Sequence, residues 1–309
     1  MKSNDILKNI KALADDTRLR LAYILWHYEL SVNELVGLLN MGQSRVSRHL
    51  KILSDVGLLQ ARRDGLWVFY KAVEEGENKE FLSSIFSYLS KDIQNDLDVA
   101  SRIIEERAIK TRQFFNSIAD DWDELNKEVL GAFSLPLEVQ KSVPADCDIA
   151  VDLGCGTGEV LDKLLEASGS VIGVDGSQKM LDLARRRFTD NIAKLSRLSL
   201  RIGELDHLPL RDNEANFACI NLVLHHLSEP KIALSEIERV LAPKGILFIS
   251  DFLQHKEEKM RSNYGDRWLG FSKESLENYM QELGFKIIQY ETQKVKMGLQ
   301  LHLLIAQKS

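Results

Sequence analysis

Cysteine is scarce in these 309 residues: Cys147, Cys155 and Cys219 are the only three. The number is odd and no CxxC pair occurs. That leaves no basis for a disulfide framework or a thiolate zinc cluster, and it fits a reducing cytosol. No apolar run approaches the roughly 20 residues needed to cross a bilayer, so no membrane partner is expected. The start, Met1-Lys2-Ser3-Asn4-Asp5, leads into an amphipathic helix pattern with no secretory apolar region, and the expected location is cytoplasmic. Internal repeats and low-complexity segments are also missing. No metal site is expected.

What is present is ordinary globular composition, 44% hydrophobic and 28% charged, at a length suited to about two domains. The net charge of −6 is unevenly spread. Residues 1–73 hold five Lys and six Arg against five Asp and two Glu, a net +4, which leaves −10 for the remainder. A basic module on an acidic body suggests that only the first part meets a polyanion.

Periodicity divides the chain into residues 1–75, a connecting helix over 76–110, and residues 111–309. In the first part four helices are expected, roughly Asp5–Ala14, Thr17–Tyr28, Val32–Leu39 and Ser44–Val56. Ser31 with Glu34 makes a capping box before the third, and Gly57 stops the fourth. Leu58–Arg62 and Trp67–Ala72 then flank an Arg63-Asp64-Gly65 hairpin turn. A long helix over 78–110 carries Leu82, Ile85, Leu89, Ile93, Ala100 and Ile103 near one face, a stripe for core packing or for a dimer seam. From Ile149 onward strands and helices alternate. That predicts an α/β fold, a Rossmann-like sheet of seven strands, preceded by an α+β winged helix-turn-helix.

The fourth helix has the two faces that major-groove docking requires. Val46, Leu50 and Leu53 point inward, while Gln43, Ser44, Arg45, Ser47, Arg48 and Lys51 lie elsewhere on the cylinder; the isolated His49 is a packing or a DNA-face residue rather than a metal ligand. Such amide, hydroxyl and guanidinium groups contact phosphates or base edges. Arg62 and Arg63, read as hairpin-tip residues, would reach backbone phosphates. A small helical domain whose polar helix merely faces water is the alternative. Three spaced motifs carry a resemblance here: Ala14-Asp15-Asp16-Thr17-Arg18-Leu19-Arg20-Leu21, then Gln43 through Leu53, then Gly57-Leu58-Leu59. They resemble the ArsR/SmtB-type winged-helix regulators over about the first 75 residues. The resemblance implies a homodimer paired through terminal helices on double-stranded operator DNA. Metal-sensing members carry thiols in the helix before the recognition helix; Val32–Leu39 has neither Cys nor His.

Ala150-Val151-Asp152-Leu153-Gly154-Cys155-Gly156-Thr157-Gly158-Glu159 reads as a buried strand, a glycine loop and a helix start. Its G-x-G-x-G spacing puts Glu159 where a dinucleotide loop would place its third glycine, and a carboxylate there would repel phosphates. A cationic nucleoside tolerates it. The next strand ends at Asp175-Gly176, placing an acid about 20 residues past the loop for ribose hydroxyls. Met180 would pack on the base, and Glu204-Leu205 follow the third strand. Another nucleotide-binding Rossmann fold is the alternative. The region resembles class I S-adenosylmethionine-dependent methyltransferases of the ubiquinone/menaquinone-biosynthesis type, over roughly residues 112–309. Phe114-Phe115-Asn116 and Trp122-Asp123 resemble that group's N-terminal lid. The resemblance implies S-adenosylmethionine as cofactor, S-adenosylhomocysteine as product, and cofactor contacts at Asp152, Gly154, Cys155, Gly156, Asp175, Gly176, Met180, Glu204, Leu205 and Asn221.

His225 and His226 follow the fourth strand at the sheet's carboxyl edge. One of them would take the proton released by a small-molecule methyl acceptor; the alternative is that they cap the strand or pack on the lid. Asn221-Leu222-Val223-Leu224 lacks the Pro-Pro-aromatic pattern of DNA amino-methylating enzymes, and the cysteines form no arsenite-binding set. Two functions stay open: turnover on a small molecule, or cofactor sensing by a DNA-binding regulator without turnover.

Overall fold

In the computed structural model, which describes residues 2–89 and 94–309, the chain divides into two units, 1–107 and 108–309. The first contains α1 (Ser3–Leu13), α2 (Asp16–His27), β1 (Leu30–Ser31), α3 (Val32–Leu39), α4 (Gln43–Asp55), β2 (Leu59–Asp64), β3 (Trp67–Ala72), α5 (Gly76–Phe86) and the start of α6 (Gln94–Ile118). Helix starts are fixed by side chains. Asp15 accepts the Arg18 N–H at 3.1 Å to cap α2. Ser31 and Glu34 cap α3 reciprocally, with the Ser31 N–H donating to Glu34 Oε2 at 2.8 Å. Such a cap contributes roughly 1 kcal/mol. Val46, Leu50 and Leu53 on α4 are fully buried against a core that includes Leu21, Ile24, Leu25 and Leu35. Gly57, at φ +75°, ends that helix as the sequence predicts.

Two local expectations change. Asp64 pairs with Trp67, so the hairpin loop is Gly65-Leu66, and both Arg62 and Arg63 lie within β2 rather than at its tip. The helix expected over 78–110 is interrupted. Residues Ser87–Leu89 leave the α-helix, with Tyr88 and Leu89 N–H groups bonding three residues back. The Ser84 and Ser87 hydroxyls meanwhile bond the carbonyls of Glu80 and Ser84, the competition by which serine weakens helices. Ile93 lies outside the described residues. Leu82 and Ala100 of the expected stripe are buried in the first unit's own core, with Ile85, Leu89 and Ile103 packed partly against it.

The second unit holds α7 (Trp122–Leu130), α8 (Leu135–Ser142), β4 (Ile149–Leu153), α9 (Leu161–Ala167), β5 (Ser170–Asp175), α10 (Gln178–Arg187), α11 (Ile192–Leu195), β6 (Leu198–Ile202), β7 (Ala215–Asn221), α12 (Pro230–Val240), β8 (Leu241–Phe252), α13 (Lys259–Tyr264), α14 (Lys273–Glu282), β9 (Phe285–Lys294) and β10 (Gln300–Lys308). The seven strands run in the order β6-β5-β4-β7-β8-β10-β9, with β10 antiparallel to both neighbours and the others parallel. This is the α/β Rossmann-like sheet expected. One apolar cluster takes Leu161, Leu164, Leu181 and Ala184 from α9 and α10; another takes Leu234, Ile237, Leu276 and Met280 from α12 and α14. Crossovers onto both faces of a parallel sheet bury its central strands twice, hence the continuous apolar runs of β4 and β7. Strand order reverses between β4 and β7, and the crevice at their carboxyl ends is where such sheets bind ligands.

Candidate functional site

The chain leaves β4 through three glycines in the left-handed region: Gly154 at φ +72°, Gly156 at +50° and Gly158 at +85°. L side chains avoid that region, which is why glycine recurs at alternate positions. A Cβ on Gly154 would also stand 2.5 Å from Val223 Cγ2. The Gly154 and Cys155 N–H groups both donate to Val174 O, tying the loop to β5. Asp175, ending β5, then fixes the loop's tip. Its Oδ2 accepts the Gly156 N–H at 2.9 Å and its Oδ1 accepts the Ser177 N–H at 2.8 Å. Burial raises the Asp175 pKa; those two N–H groups work against the rise, while the charge of Glu204 adds to it.

Glu204 lies across Gly176, whose Cβ, if it had one, would stand 3.5 Å from Glu204 Oε2. Arg112 on α6 pairs with Glu204 at 3.0 Å, a half-exposed contact. Leu205 packs partly against the core, and Met180 is buried, its N–H capped by Ser177 Oγ at 3.1 Å. Asp152 is buried within β4, where the Cys219 S–H donates to it at 3.3 Å. Burial raises its pKa to about 7. Burial likewise holds the Cys155 thiol protonated. At the end of β7 the Asn221 amide is buried beside Asp152 and Cys219, and its hydrogen bonding to both works against the rise of their pKa values.

One strap crosses the loop. Trp122, opening α7, has its Nε1 3.5 Å from where a Cβ on Gly156 would stand. The next residue, Asp123, accepts from Thr157 Oγ1 at 2.5 Å and from the Arg187 guanidinium, which also donates to Thr157 O. Asn116 accepts from Ser177 Oγ at 2.6 Å. The Phe115 ring stands 5.4 Å from Trp122 and 4.8 Å from His226.

The two histidines occupy a 3₁₀ turn, Leu224–His226, reached through Leu222 in the left-handed region at φ +56°. Both are buried. His225 Nδ1 lies 2.7 Å from Asp251 Oδ1, and His225 Nε2 lies 3.6 Å from Asp266 Oδ1. Burial would lower the His225 pKa, but Asp251 and Asp266 outweigh it and leave it raised. His226 is held well below its ordinary value, by burial first and then by the charge of His225.

In the first unit the exposed face of α4 presents Gln43, Ser44, Arg45 and Arg48, with Ser47 half-buried. Arg63 is exposed on β2. His49 departs from the expected DNA face: it is half-buried, its Nδ1 3.7 Å from Asp15 Oδ1 at the α2 cap. Arg62 departs as well. Its guanidinium is held by Glu29 at 2.8 Å and Asp64 at 3.1 Å and lies over the Phe69 ring.

Residues 151–249 match a family model described as a methyltransferase domain, and residues 15–61 match one described as a bacterial regulatory protein of the arsR family. The chain joins an arsR-family helix-turn-helix to a methyltransferase domain. A demethylmenaquinone methyltransferase of Lactiplantibacillus plantarum is 36% identical over 137 residues, covering 42% of this chain and 56% of that protein. An uncharacterized 37.1 kDa protein in transposon TN4556 of Streptomyces fradiae is 43% identical over 105 residues, 33% of this chain and 29% of its own length. The chain thus spans little more than half of the first and under a third of the second. Among solved structures, the [4+2]-cyclase SpnF superposes with a TM-score of 0.55 at 18% identity, covering 64% of this chain and 94% of that one. A SAM dependent methyltransferase from Aquifex aeolicus gives 0.50 at 20%, covering 63% and 98%. At those identities the superpositions speak for the fold alone.

Within the methyltransferase domain, the glycine loop, Asp175, Gly176 and Glu204 come together, with Asn221 and the histidines at the adjoining strand end. Asp251, Asp266 and Arg187 escaped the sequence reading, whereas Asn116 belongs to the lid-like segment. Asp251 had a usable signal, since it directly follows an expected parallel strand, at the sheet edge where ligands bind. Asp266 sits in a loop after α13 with no pattern around it.

Proposed function

We propose that the methyltransferase domain moves a methyl group from S-adenosylmethionine to a small molecule, and that the helix-turn-helix binds double-stranded operator DNA, as a homodimer in the cytoplasm. The observation that carries the first part is the left-handed glycine loop latched by its Gly156 N–H to Asp175, with Glu204 as a second acid across Gly176. Two carboxylates beside a backbone cradle suit a nucleoside bearing a sulfonium and an ammonium, and Glu159 stands where a dinucleotide loop places its third glycine. The residues fit that cofactor. Asp175 would accept from the ribose hydroxyls, Glu204 from the adenine amino group beside the Leu205 N–H, and Met180 would line the base. Asp152, Gly154, Cys155, Gly156 and Gly176 would shape the cradle, and the Asn221 amide at the end of β7 would meet the polar end of the amino acid. When bound, the cofactor supplies an activated methyl group.

The chain's own contribution is placement and exclusion of water. Trp122 and Phe115 cover the loop, and the strap from Asp123 to Arg187 holds them there. His225 and His226 form the polar edge against which the acceptor's nucleophilic atom would be held. The relatives named for demethylmenaquinone support a quinone-type ring compound as acceptor. For the DNA part, the exposed polar row on α4 and the arsR-family match support groove binding.

Calorimetry on the full chain with S-adenosylhomocysteine and with NAD tests the cofactor reading. S-adenosylhomocysteine should bind and NAD should not; the reverse preference ends the proposal. Transfer of label from methyl-labelled S-adenosylmethionine into a metabolite extract, above a Gly154→Arg control, tests turnover. Cofactor binding without transfer would make the domain a sensor.

A further inference from the structure

The histidine turn holds more than a place for the acceptor. We propose that His225, His226 and Asp266 form a binding site for one divalent first-row transition ion. One ligand atom from each residue lies within 4.8 Å of the other two, and all three residues are buried. The histidine tautomers favour coordination. Asp251 Oδ1 can only accept, so His225 Nδ1 carries the proton and donates at 2.7 Å. Asp251 is itself fixed, accepting the Phe252 N–H at 2.7 Å. The Gly265 carbonyl can also only accept, so His226 Nδ1 donates to it at 3.2 Å. Each imidazole is thereby left with Nε2 as its coordinating nitrogen. A carboxylate or carbonyl behind each ligating histidine is the arrangement that orients metal-binding imidazoles.

The scaffold around the three is tied down from several sides. The N–H groups of Arg267 and Trp268 both donate to His225 O at 2.9 Å, which pins the Asp266 loop to the histidine turn. Trp268 Nε1 donates to Leu227 O at 2.7 Å, and the Asp266 N–H donates to Met260 O at 3.2 Å. Bonds of about 2.1 Å give ligand separations of roughly 3.0–3.4 Å around an ion. His225 Nε2 and Asp266 Oδ1 are 3.6 Å apart and the three ligand atoms lie within 4.8 Å of one another, so closure onto an ion draws them together by up to roughly 1.4–1.8 Å.

Two imidazoles and one carboxylate suit divalent manganese, iron, cobalt, nickel or zinc rather than magnesium or calcium, and three protein ligands leave positions open. If the domain methylates a ring compound bearing an oxygen substituent, which rests on the reading above, an ion here would polarise that oxygen. Ion binding itself does not depend on that reading. The site also revises the expectation of no metal. Spacing along the chain revealed no ligand set because Asp266 lies 40 residues beyond His226 and 41 beyond His225.

Co²⁺ titration of the chelator-treated full chain tests the site. The expected result is one Co²⁺ per chain, with visible ligand-field absorption. His226→Gln and Asp266→Asn should each weaken it at least about 100-fold, and Asp251→Asn about 10- to 100-fold. A measurement on the unaltered protein guards against misfolded variants. Its Co²⁺ form should give two paramagnetically shifted, solvent-exchangeable imidazole N–H signals, one from each Nδ1. No stoichiometric Co²⁺, fewer than two such signals, or binding that survives both His226→Gln and Asp266→Asn in folded protein would overturn the site. S-adenosylhomocysteine binding, measured with the metal removed, reports separately on the cofactor reading.

Discussion

Replacing Gly154 with alanine separates two costs that the glycine loop avoids. The first is backbone strain, since Gly154 sits at φ +72°, where an L residue loses about 1–2 kcal/mol. The second is steric, because the new methyl would lie 2.5 Å from Val223 Cγ2 and 3.1 Å from its Cγ1. Val223 is branched next to its own backbone, so neither methyl can swing clear without moving the chain. Overpacking of that kind costs about 1–3 kcal/mol. The expected loss for Gly154→Ala is therefore about 2–5 kcal/mol. Gly284 provides the control. Its φ is +75° and nothing lies within 4 Å of its added methyl, so Gly284→Ala should cost only the backbone part. Urea unfolding of both variants, and of Gly154→Ala combined with Val223→Ala, gives the partition. The double-mutant cycle should return about 1–3 kcal/mol of coupling between positions 154 and 223. A shifted loop would also carry the Gly156 N–H off Asp175, so S-adenosylhomocysteine should bind at least about tenfold more weakly, a loss of roughly 1.4 kcal/mol. The reasoning fails if Gly154→Ala is no less stable than Gly284→Ala, or if coupling falls below about 0.5 kcal/mol.

Arg48→Ala should weaken operator binding and reduce the salt slope by about one counterion, measured by fluorescence anisotropy across a salt series. Arg62→Ala should leave that slope unchanged while lowering the stability of the first unit, because its guanidinium is engaged by Glu29 and Asp64; equal salt slopes for the two variants would contradict this assignment. Asp152 gives a pH dependence with a definite sign. Burial raises its folded pKa from the ordinary 3.8 to about 7, so the folded state holds a proton that the unfolded state releases. Its contribution is then fully present below about pH 4 and disappears as pH rises through about 7, a change on the order of 4 kcal/mol. Asp152→Asn should flatten the urea midpoint against pH over that window, and an unaltered slope would count against the buried-acid reading.

Much of this architecture was legible because its determinants are local. Ser31 and Glu34 announce their capping box in four residues, and Gly57 ends α4 by a conformation that depends on no distant contact. The glycine loop is legible for the same reason, since alternate left-handed positions demand glycine whatever surrounds them. Failures occurred where a distant partner decides the outcome. Arg62 reads as a phosphate-reaching arginine until Glu29, 33 residues earlier, is found holding it. His49 reads as either packing or groove-facing, and Asp15 beside it favours packing. The helix over 78–110 failed for a subtler local reason: serine hydroxyls that look neutral in an apolar stripe were bonding the backbone carbonyls of preceding residues.

The histidine turn shows the same distinction at the site that matters most. Its position at a strand's carboxyl end follows from alternation of strand and helix, so the sequence places His225 and His226 near the crevice. What they can do depends on groups that only the fold supplies. Asp251 reaches His225 because β8 lies beside β7 in register, pairing Asn221 with Ser250 one residue before Asp251. Gly265 and Asp266 arrive from a loop whose course is set by hydrogen bonds to the His225 carbonyl. An isolated histidine pair would be two interchangeable bases. Two different acceptors on the two Nδ1 atoms, and a carboxylate facing one Nε2, give the imidazoles fixed tautomers and distinct surroundings. A variant of Asp251 should therefore alter the chemistry of the turn without touching either histidine.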